Sequence, residues 1–206
     1  MLQMYPKPRK KSVMPTDYKN KILSSAQKIF AQKGYVKCTM SDVAIHAKVG
    51  IGTLYNYFKN KDEMLQLCIQ KMIEDEIHTI EKESDKLADP LEKIKFFFDE
   101  HYELLKSKPQ IARLLLIELR QSEGFYKRNP TYNPMKYYLD YYTKVFQEAI
   151  KKNMIRKVDA KTLAYIVVGA QETIFLQWLI HGKDLKIDPL LKNMADILQL
   201  GLTKRK

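Results

Sequence analysis

The chain has 206 residues and a mass of 24.3 kDa, enough for one large domain or two small ones. Hydrophobic residues make up 45% of it and charged residues 29%, a balance that excludes a chain disordered throughout. The longest apolar run, 163–170, is shorter than the roughly 18 residues of a membrane span, and no apolar segment follows the basic N-terminus as in a signal peptide. With only Cys38 and Cys68, we expect a reduced cytoplasmic protein rather than a disulfide framework.

Positive charge is concentrated at the front of the chain. Residues 1–63 carry 12 basic and 4 acidic side chains, whereas the remaining residues carry 24 basic and 20 acidic ones. The formal net charge of the whole chain is +12. This asymmetry favours a module that binds a polyanion, joined to a nearly neutral body. A lysine-rich surface without a partner is the alternative that charge alone leaves open.

The chain contains only 7 glycines and 8 prolines, and its apolar residues recur at helical spacing, so we predict an all-α fold of about nine helices. Three prolines within 1–15 predict a flexible basic arm there. The predicted helices are roughly 17–33, 40–48, 51–58, 61–84, 90–107, 109–119, 135–153, 159–180 and 189–202. Gly124 and two Asn-Pro pairs predict a loop over 123–134.

The stretch 48–58 is the most informative part of the sequence. Two glycines in three residues predict a turn that leads into a short helix. The apolar side of this helix comprises Ile51, Leu54 and Phe58, and its polar side comprises Gly52, Thr53 and Asn56. Small residues allow close approach to another surface, Asn can hydrogen-bond base edges, and tyrosine hydroxyls can reach phosphates. Behind the short helix predicted at 40–48, this pattern is typical of a helix-turn-helix.

The sequence Ile-Gly-Thr-Leu-Tyr-Asn-Tyr-Phe-Lys-Asn-Lys-Asp-Glu at 51–63, preceded by Thr-Met-Ser-Asp-Val-Ala at 39–44, closely resembles the DNA-binding head of TetR-family repressors. The resemblance covers about residues 17–65. It implies a three-helix head at 16–62, joined by a fourth helix to a body at 63–206 that binds an effector and dimerises.

Two positions depart from the commonest pattern of that family. Lys48 stands where the turn often has Gly, which predicts a small strain. Gly50 stands where the recognition helix often has a capping Ser, which predicts a weaker cap.

The resemblance also implies which residues contact DNA. Gly52, Thr53 and Asn56 would face the major groove, and hydroxyl, tyrosine and lysine side chains would contact phosphates. Carried over position by position, the full set is Thr39, Ser41, Lys48, Gly50, Gly52, Thr53, Tyr55, Asn56, Tyr57 and Lys61. Lys61 begins a helix whose N-terminus attracts anions.

In the body, 117–122 and 169–178 resemble helices of the fatty-acid-degradation repressors, which respond to long-chain acyl-CoA. The resemblance implies a repressor that binds a pseudo-palindromic operator as a homodimer, leaves it when long-chain acyl-CoA binds, and regulates fatty-acid metabolism. A repressor of multidrug efflux with an aromatic or cationic effector is the alternative. Outside this class, a helical lipid-binding protein or an enzyme with an incidental basic head remains open. The expected ligand-binding residues are Phe97, Tyr102, Arg113, Leu116, Arg120, Tyr138, Tyr141, Gln171, Phe175 and Trp178.

Basic side chains near the predicted loop offer a cradle for the phosphates of coenzyme A, with solvated surface charge as an equal alternative. These side chains are Arg113, Arg120, Lys127 and Arg128. The helices at 159–180 and 189–202 are apolar on more than one face, as in a dimeric four-helix bundle. The four histidines lack metal-ligand spacing and no nucleophile motif is present, so we expect no enzymatic activity, metal or bound cofactor.

Overall fold

The structure is a computed structural model that describes residues 16–119, 122–182 and 185–202, and within them every regular element is a helix. The helices in chain order are α1 (Thr16–Lys33), α2 (Met40–Ala47), α3 (Ile51–Tyr57), α4 (Lys61–Met72), α5 (His78–Ser84), α6 (Pro90–Ser107), α7 (Pro109–Arg113), α8 (Glu123–Arg128), α9 (Lys136–Lys151), α10 (Ala160–His181) and α11 (Ile187–Leu202). The predicted all-α class is confirmed. The predicted arm at 1–15 lies outside the described residues.

The structure differs from the predicted helices in two ways. Turns of π-helix at Ile73–Ile77 and Leu114–Glu118 interrupt the helices predicted at 61–84 and 109–119. A π turn closes its hydrogen bonds one residue later than an α-helix, and apolar spacing alone does not reveal that change. The first half of the loop predicted at 123–134 is the short helix α8, whose Phe125 is buried.

The four N-terminal helices surround one apolar cluster. Phe30, Leu54 and Phe58 are at most 1% exposed within it. The cluster continues into the body through leucines of the segment 114–119 and through Phe125 of α8. The head therefore shares its core with the body, and the division predicted after residue 62 falls in the first turn of α4.

The body is built around α9 and α10, which pack along each other, with α6 against α9 and α11 against α10. Aromatic rings fill much of the space between α6 and α9. The rings of Phe97 and Tyr141 stack with 4.0 Å between their centroids, and Tyr142 meets Phe97 edge-on. The hydroxyl of Tyr102 donates to Asp188, which ties α6 to the start of α11.

Large apolar side chains remain exposed along α10 and α11. Ile166 and Ile180 on α10 are 53% and 57% exposed, and Leu190 and Ile197 on α11 are 41% and 69% exposed. The other side of α10 is buried in the body.

The whole of α10 is long and apolar enough to span a membrane by length and composition, with a mean hydropathy of 1.4 over its most apolar window. The expectation that no segment reaches this length was wrong, because it counted only an uninterrupted apolar run. One third of that window is buried inside the protein.

Candidate functional site

The predicted recognition helix α3 has one buried and one exposed side. Leu54 is fully buried, whereas Gly52, Tyr55 and Asn56 are exposed and Thr53 is half-buried. Thr39, Ser41, Lys48 and Gly50, from α2 and the turn, are exposed as well. Ile51 is 42% exposed, so it anchors the helix less than its apolar side chain predicts.

The turn between α2 and α3 has the geometry that the sequence predicts. Lys48 adopts the left-handed conformation, with φ 57° and ψ 47°, a region in which a side chain causes strain. Gly50 precedes α3 in an extended conformation and provides no side-chain cap. Both departures from the family pattern thus have the predicted structural consequence.

The start of α2 is held by a reciprocal pair of hydrogen bonds. The Thr39 hydroxyl accepts from the Asp42 amide at 3.1 Å, and the Thr39 amide donates to the Asp42 carboxylate at 2.9 Å. The Lys33 ammonium lies 2.6 Å from the same carboxylate. Hydrogen bonds from Lys33 and Thr39 lower the pKa of Asp42 to about 2. The two residues thus form a capping box, which already engages the hydroxyl that the resemblance assigns to a phosphate.

Two other predicted phosphate contacts have their polar groups turned into the protein. The Lys61 ammonium donates to the backbone carbonyls of Tyr35, Val36 and Cys38 at 2.8, 3.3 and 2.9 Å. The Tyr57 hydroxyl is buried and has no hydrogen-bond partner among the described residues. In this conformation Lys61 closes the α1–α2 loop, and a phosphate contact would require it to release a carbonyl.

A buried carboxylate joins the head to the body. Asp62, in the first turn of α4, is 8% exposed. The guanidinium of Arg128, in α8, donates hydrogen bonds to both oxygens of this carboxylate, at 2.7 and 3.0 Å. The side-chain amide of Asn129 donates to the same carboxylate at 3.0 Å. The Tyr35 hydroxyl donates to it from the head. Burial opposes ionisation, but these hydrogen bonds outweigh it and lower the pKa of Asp62 below its usual range.

A second contact between head and body lies at Gly34, which ends α1 with a φ of 76°. A side chain at this position would start 2.7 Å from the carboxylate of Glu118. The left-handed backbone favours glycine here, whereas the flexible Glu118 side chain could turn away from an added Cβ.

The predicted phosphate cradle is not assembled by the described residues. Arg128 is engaged by Asp62, and Lys127 pairs with Glu123 of its own helix at 2.7 Å. Arg113 donates to the carbonyl of Leu179 at 3.3 Å. Arg120 lies outside the described residues. In this conformation the Arg128 guanidinium neutralises a buried acid, and its binding to a phosphate stays a prediction.

Two adjoining cavities lie inside the body. The larger lies between α6, α9, α10 and the π turn at 114–118, the smaller lies beside the π turn at 73–77, and each has a volume of only about 20 Å³. Leu105, Leu115 and Tyr138 line both. In this conformation each cavity has room for about one water molecule, so a larger ligand would have to open it, and both π turns of the structure border this space.

The predicted ligand-binding residues divide into three groups. Those that line the larger cavity are Leu116, Tyr138, Gln171 and Phe175. Those that pack in the aromatic core or at its edge are Phe97, Tyr102, Tyr141 and Trp178. Arg113 lies at the surface, and Arg120 is not among the described residues. Four of the predicted residues thus face the larger cavity, and their role in ligand binding stays a prediction.

Sequence reasoning missed several residues that line the larger cavity. They are His101, Leu105, Leu115, Met135, Val168 and Glu172. Helical spacing offered a signal for some of them: His101 follows Phe97 by four residues, and Val168 precedes Gln171 by three. Leu115 and Met135 carried no such signal.

Titratable groups in the described residues form no metal centre or activated nucleophile. No three His, Cys, Asp or Glu side chains of the described chain are grouped so as to hold a metal ion. Burial raises the pKa of the Cys68 thiol, which makes it unreactive. Burial lowers the pKa of His101 to about 4, so its imidazole is neutral at pH 7.

The chain matches two family models and several known proteins. Residues 22–68 match "Bacterial regulatory proteins, tetR family", and residues 69–201 match "YsiA-like protein, C-terminal region". A "Fatty acid metabolism regulator protein" of Bacillus subtilis is 25% identical over 182 residues, covering 88% of this chain and 93% of that protein.

Solved structures of similar proteins share the fold over nearly their whole length. The fatty acid degradation regulator FadR of Bacillus halodurans has a TM-score of 0.77 at 25% identity, covering 89% of this chain and 99% of its own. The transcriptional regulator FadR of Bacillus subtilis, in complex with stearoyl-CoA, has a TM-score of 0.79 at 24% identity, with the same coverage.

Replacing Asp62 with Asn should destabilise the fold in a pH-dependent way. At pH 7 the loss should be about 1–3 kcal/mol, because Arg128 and Tyr35 lose a charged acceptor. Since the pKa of Asp62 is lowered by folding, this difference from wild type should be complete above about pH 4 and shrink as the pH falls through the folded value. Urea unfolding between pH 3 and 7 measures it.

The matched control is Asp99→Asn, which removes an exposed carboxylate paired with Lys95 at 3.2 Å. Its effect should stay below about 0.5 kcal/mol at every pH. Equal losses in the two variants would contradict the role of Asp62.

Proposed function

The chain belongs to the TetR family of bacterial regulatory proteins, and from this premise we propose that it is a cytoplasmic repressor of fatty-acid metabolism. In this proposal a homodimer binds a pseudo-palindromic operator and leaves it when long-chain acyl-CoA occupies the body. The chain is thus a transcriptional regulator and not an enzyme. The observation that carries the proposal is the position of Leu115, which lines both cavities and also belongs to the apolar cluster of the head.

The exposed side of α3 supports operator binding. Gly52 and Asn56 leave this side free of large apolar groups, and Tyr55 and Lys48 flank it. Asn can hydrogen-bond an adenine edge in the major groove, whereas Lys48 and Tyr55 are suited to phosphates. In this proposal Lys61 and Tyr57 contribute by shaping the head, because their polar groups face inward.

The exposed apolar side of α10 and α11 supports a homodimer. Ile166, Leu190 and Ile197 would otherwise remain in water, and burying them against a second copy removes that cost. A dimer is also what operator binding requires, since two recognition helices must enter major grooves about 34–36 Å apart.

The lining of the cavities supports an effector with a long apolar chain. Leu105, Leu115, Leu116, Val168 and Phe175 provide apolar surface at which methylene groups are favourable. The similar regulator of known structure from Bacillus subtilis holds stearoyl-CoA, a ligand of this chemical type.

The segment 114–119 provides a route from the effector to the head. Leu115 and Leu116 face the cavities, whereas Leu114 and Leu119 are buried in the cluster of the head. A chain that enters the cavity must displace this segment because well-packed interiors have little free volume. The displacement would disturb the contact of Glu118 with Gly34 and the ion pair of Arg128 with Asp62. The angle between the head and the body would change as a result.

Substitutions on α3 should separate contacts with phosphates from contacts with bases. Lys48→Ala should weaken binding to every duplex and lower the slope of log affinity against log salt by about one. Asn56→Ala should instead relax sequence preference by about 1–3 kcal/mol. Tyr57→Phe is the control and should change neither, because its hydroxyl is buried. Fluorescence anisotropy with operator and random duplexes measures these effects, and unchanged affinity in both alanine variants would exclude this surface.

Ile197→Lys should convert the dimer into a monomer, because it places a charge in the apolar interface. Sedimentation at micromolar concentration should give twice 24.3 kDa for the wild-type chain and 24.3 kDa for the variant. Ile45→Lys is the matched control, since Ile45 is 77% exposed on α2 of the head and should leave the dimer intact. A monomeric wild type, or a dimeric Ile197→Lys, contradicts the proposed interface.

Acyl-CoAs of about twelve carbons or more should release the operator, whereas acetyl-CoA should not. Each buried methylene is worth about 0.8 kcal/mol, so affinity should rise about fourfold per carbon until the cavity is full. Val168→Phe, which narrows the cavity, should keep operator binding and lose the response. Titration of the protein–operator complex measures release, and release by aromatic cations but not by palmitoyl-CoA would favour the multidrug alternative.

A further inference from the structure

A histidine without a hydrogen-bond partner lines the larger cavity. The Nδ1 atom of His101 is buried and has no hydrogen-bond partner among the described residues. Aromatic rings hold the imidazole in place: it stacks on Tyr138 with 4.5 Å between ring centroids, and the centroids of Phe97 and Phe175 lie at 6.2 and 6.5 Å. The imidazole thus has a fixed orientation that no described hydrogen bond sets.

An apolar side chain would suit this position better if packing were its only role. His101 lies one turn from both Phe97 and Leu105, on the side of α6 that packs into the body. A buried polar group without a partner costs free energy, and an apolar residue of similar shape removes that cost. The unpaired nitrogen therefore calls for a partner that enters from outside the chain.

Polar groups are distributed unevenly over the two cavities. Apart from Tyr138, which lines both, the polar residues of the larger cavity are His101, Gln171 and Glu172, whereas Lys108 is the polar residue that the described chain contributes to the smaller one. The remainder of the smaller cavity is formed by apolar side chains around the π turn at 73–77. A molecule with one polar and one apolar part would place its polar part beside His101 and its chain towards that π turn.

We propose that the imidazole of His101 hydrogen-bonds a neutral oxygen of the acyl thioester effector and so fixes the depth of the chain in the body. The oxygen is either the thioester carbonyl or a hydroxyl carried by the chain near the thioester. This inference rests on the proposed function and identifies the part of the effector that the cavity recognises.

The chemistry of the site favours an uncharged oxygen. The imidazole is neutral at pH 7, so it offers one N–H donor and one acceptor nitrogen and no positive charge. No Lys or Arg is among the described residues that line this cavity, so a carboxylate would lack a cationic partner there. A carbonyl can accept from the imidazole N–H, and a hydroxyl can either donate or accept.

Three ligands of equal chain length test the inference: palmitoyl-CoA, its thioether analogue S-hexadecyl-CoA, which lacks the carbonyl, and 3-hydroxypalmitoyl-CoA. Dissociation constants for the full chain come from isothermal titration. If the carbonyl is the partner, the thioether should bind about 3- to 10-fold more weakly than palmitoyl-CoA. If a chain hydroxyl is the partner, these two should bind equally and the hydroxylated ligand should bind more tightly by the same factor.

Variants of His101 assign the effect to this residue. In His101→Phe the differences among the three ligands should disappear, whereas His101→Asn, which keeps a hydrogen-bonding group, should retain part of them. His101→Phe should also raise the melting temperature of the unliganded protein, because it removes an unpaired buried nitrogen. If His101→Phe does not fold, the comparison of wild type with His101→Asn still decides.

Two results would overturn the inference, and they are distinguishable. If the three ligands bind wild type with equal affinity, or keep their ratios in His101→Phe, the role of His101 is refuted while the proposed effector class stands. If none of them binds wild type, the proposed effector class fails and this inference fails with it.

Discussion

The packing of the segment 114–119 between the head and the cavities is the constraint on which the rest of the structure depends. Its leucines alternate between two environments, the apolar cluster shared with α1–α4 and the cavities beneath α6 and α10. The segment contains a π turn, so its side chains do not follow the spacing of an ordinary helix. The leucines of this one segment therefore complete the core of the head and line the cavities.

This sharing ties the packing of the head to the packing of the body. A separate head core would allow the two parts to move independently, as domains joined by a linker do. Here the carboxylate of Glu118 lies against Gly34, and the Arg128 guanidinium holds the buried carboxylate of Asp62. Without Arg128, Asp62 would be a buried charge with no opposite charge beside it. Breaking this contact therefore costs considerable free energy. Such a joint suits a protein that switches between two arrangements.

The helix α10 meets three requirements at once. One side of it forms the core with α9, residues such as Gln171 and Phe175 line the larger cavity, and Ile166 and Ile180 face outward. A helix that is apolar on several sides resembles a membrane span in composition. In this protein, a cavity and a proposed interface with a second copy account for the same pattern.

The sequence by itself determined the features that depend on neighbours within about four residues. The capping box of Thr39 and Asp42, the caps at Asn60 and Asp159 and the left-handed ends of α1 and α2 follow from local hydrogen bonds and backbone preference. Apolar spacing likewise predicted the helices, and the motif at 39–63 predicted which face of α3 is exposed. Only the tertiary structure decided where the long polar side chains lie and which groups they contact. Arg128, Lys61 and His101 each have their environment set by residues distant in the chain, and local pattern carries no information about burial at that distance.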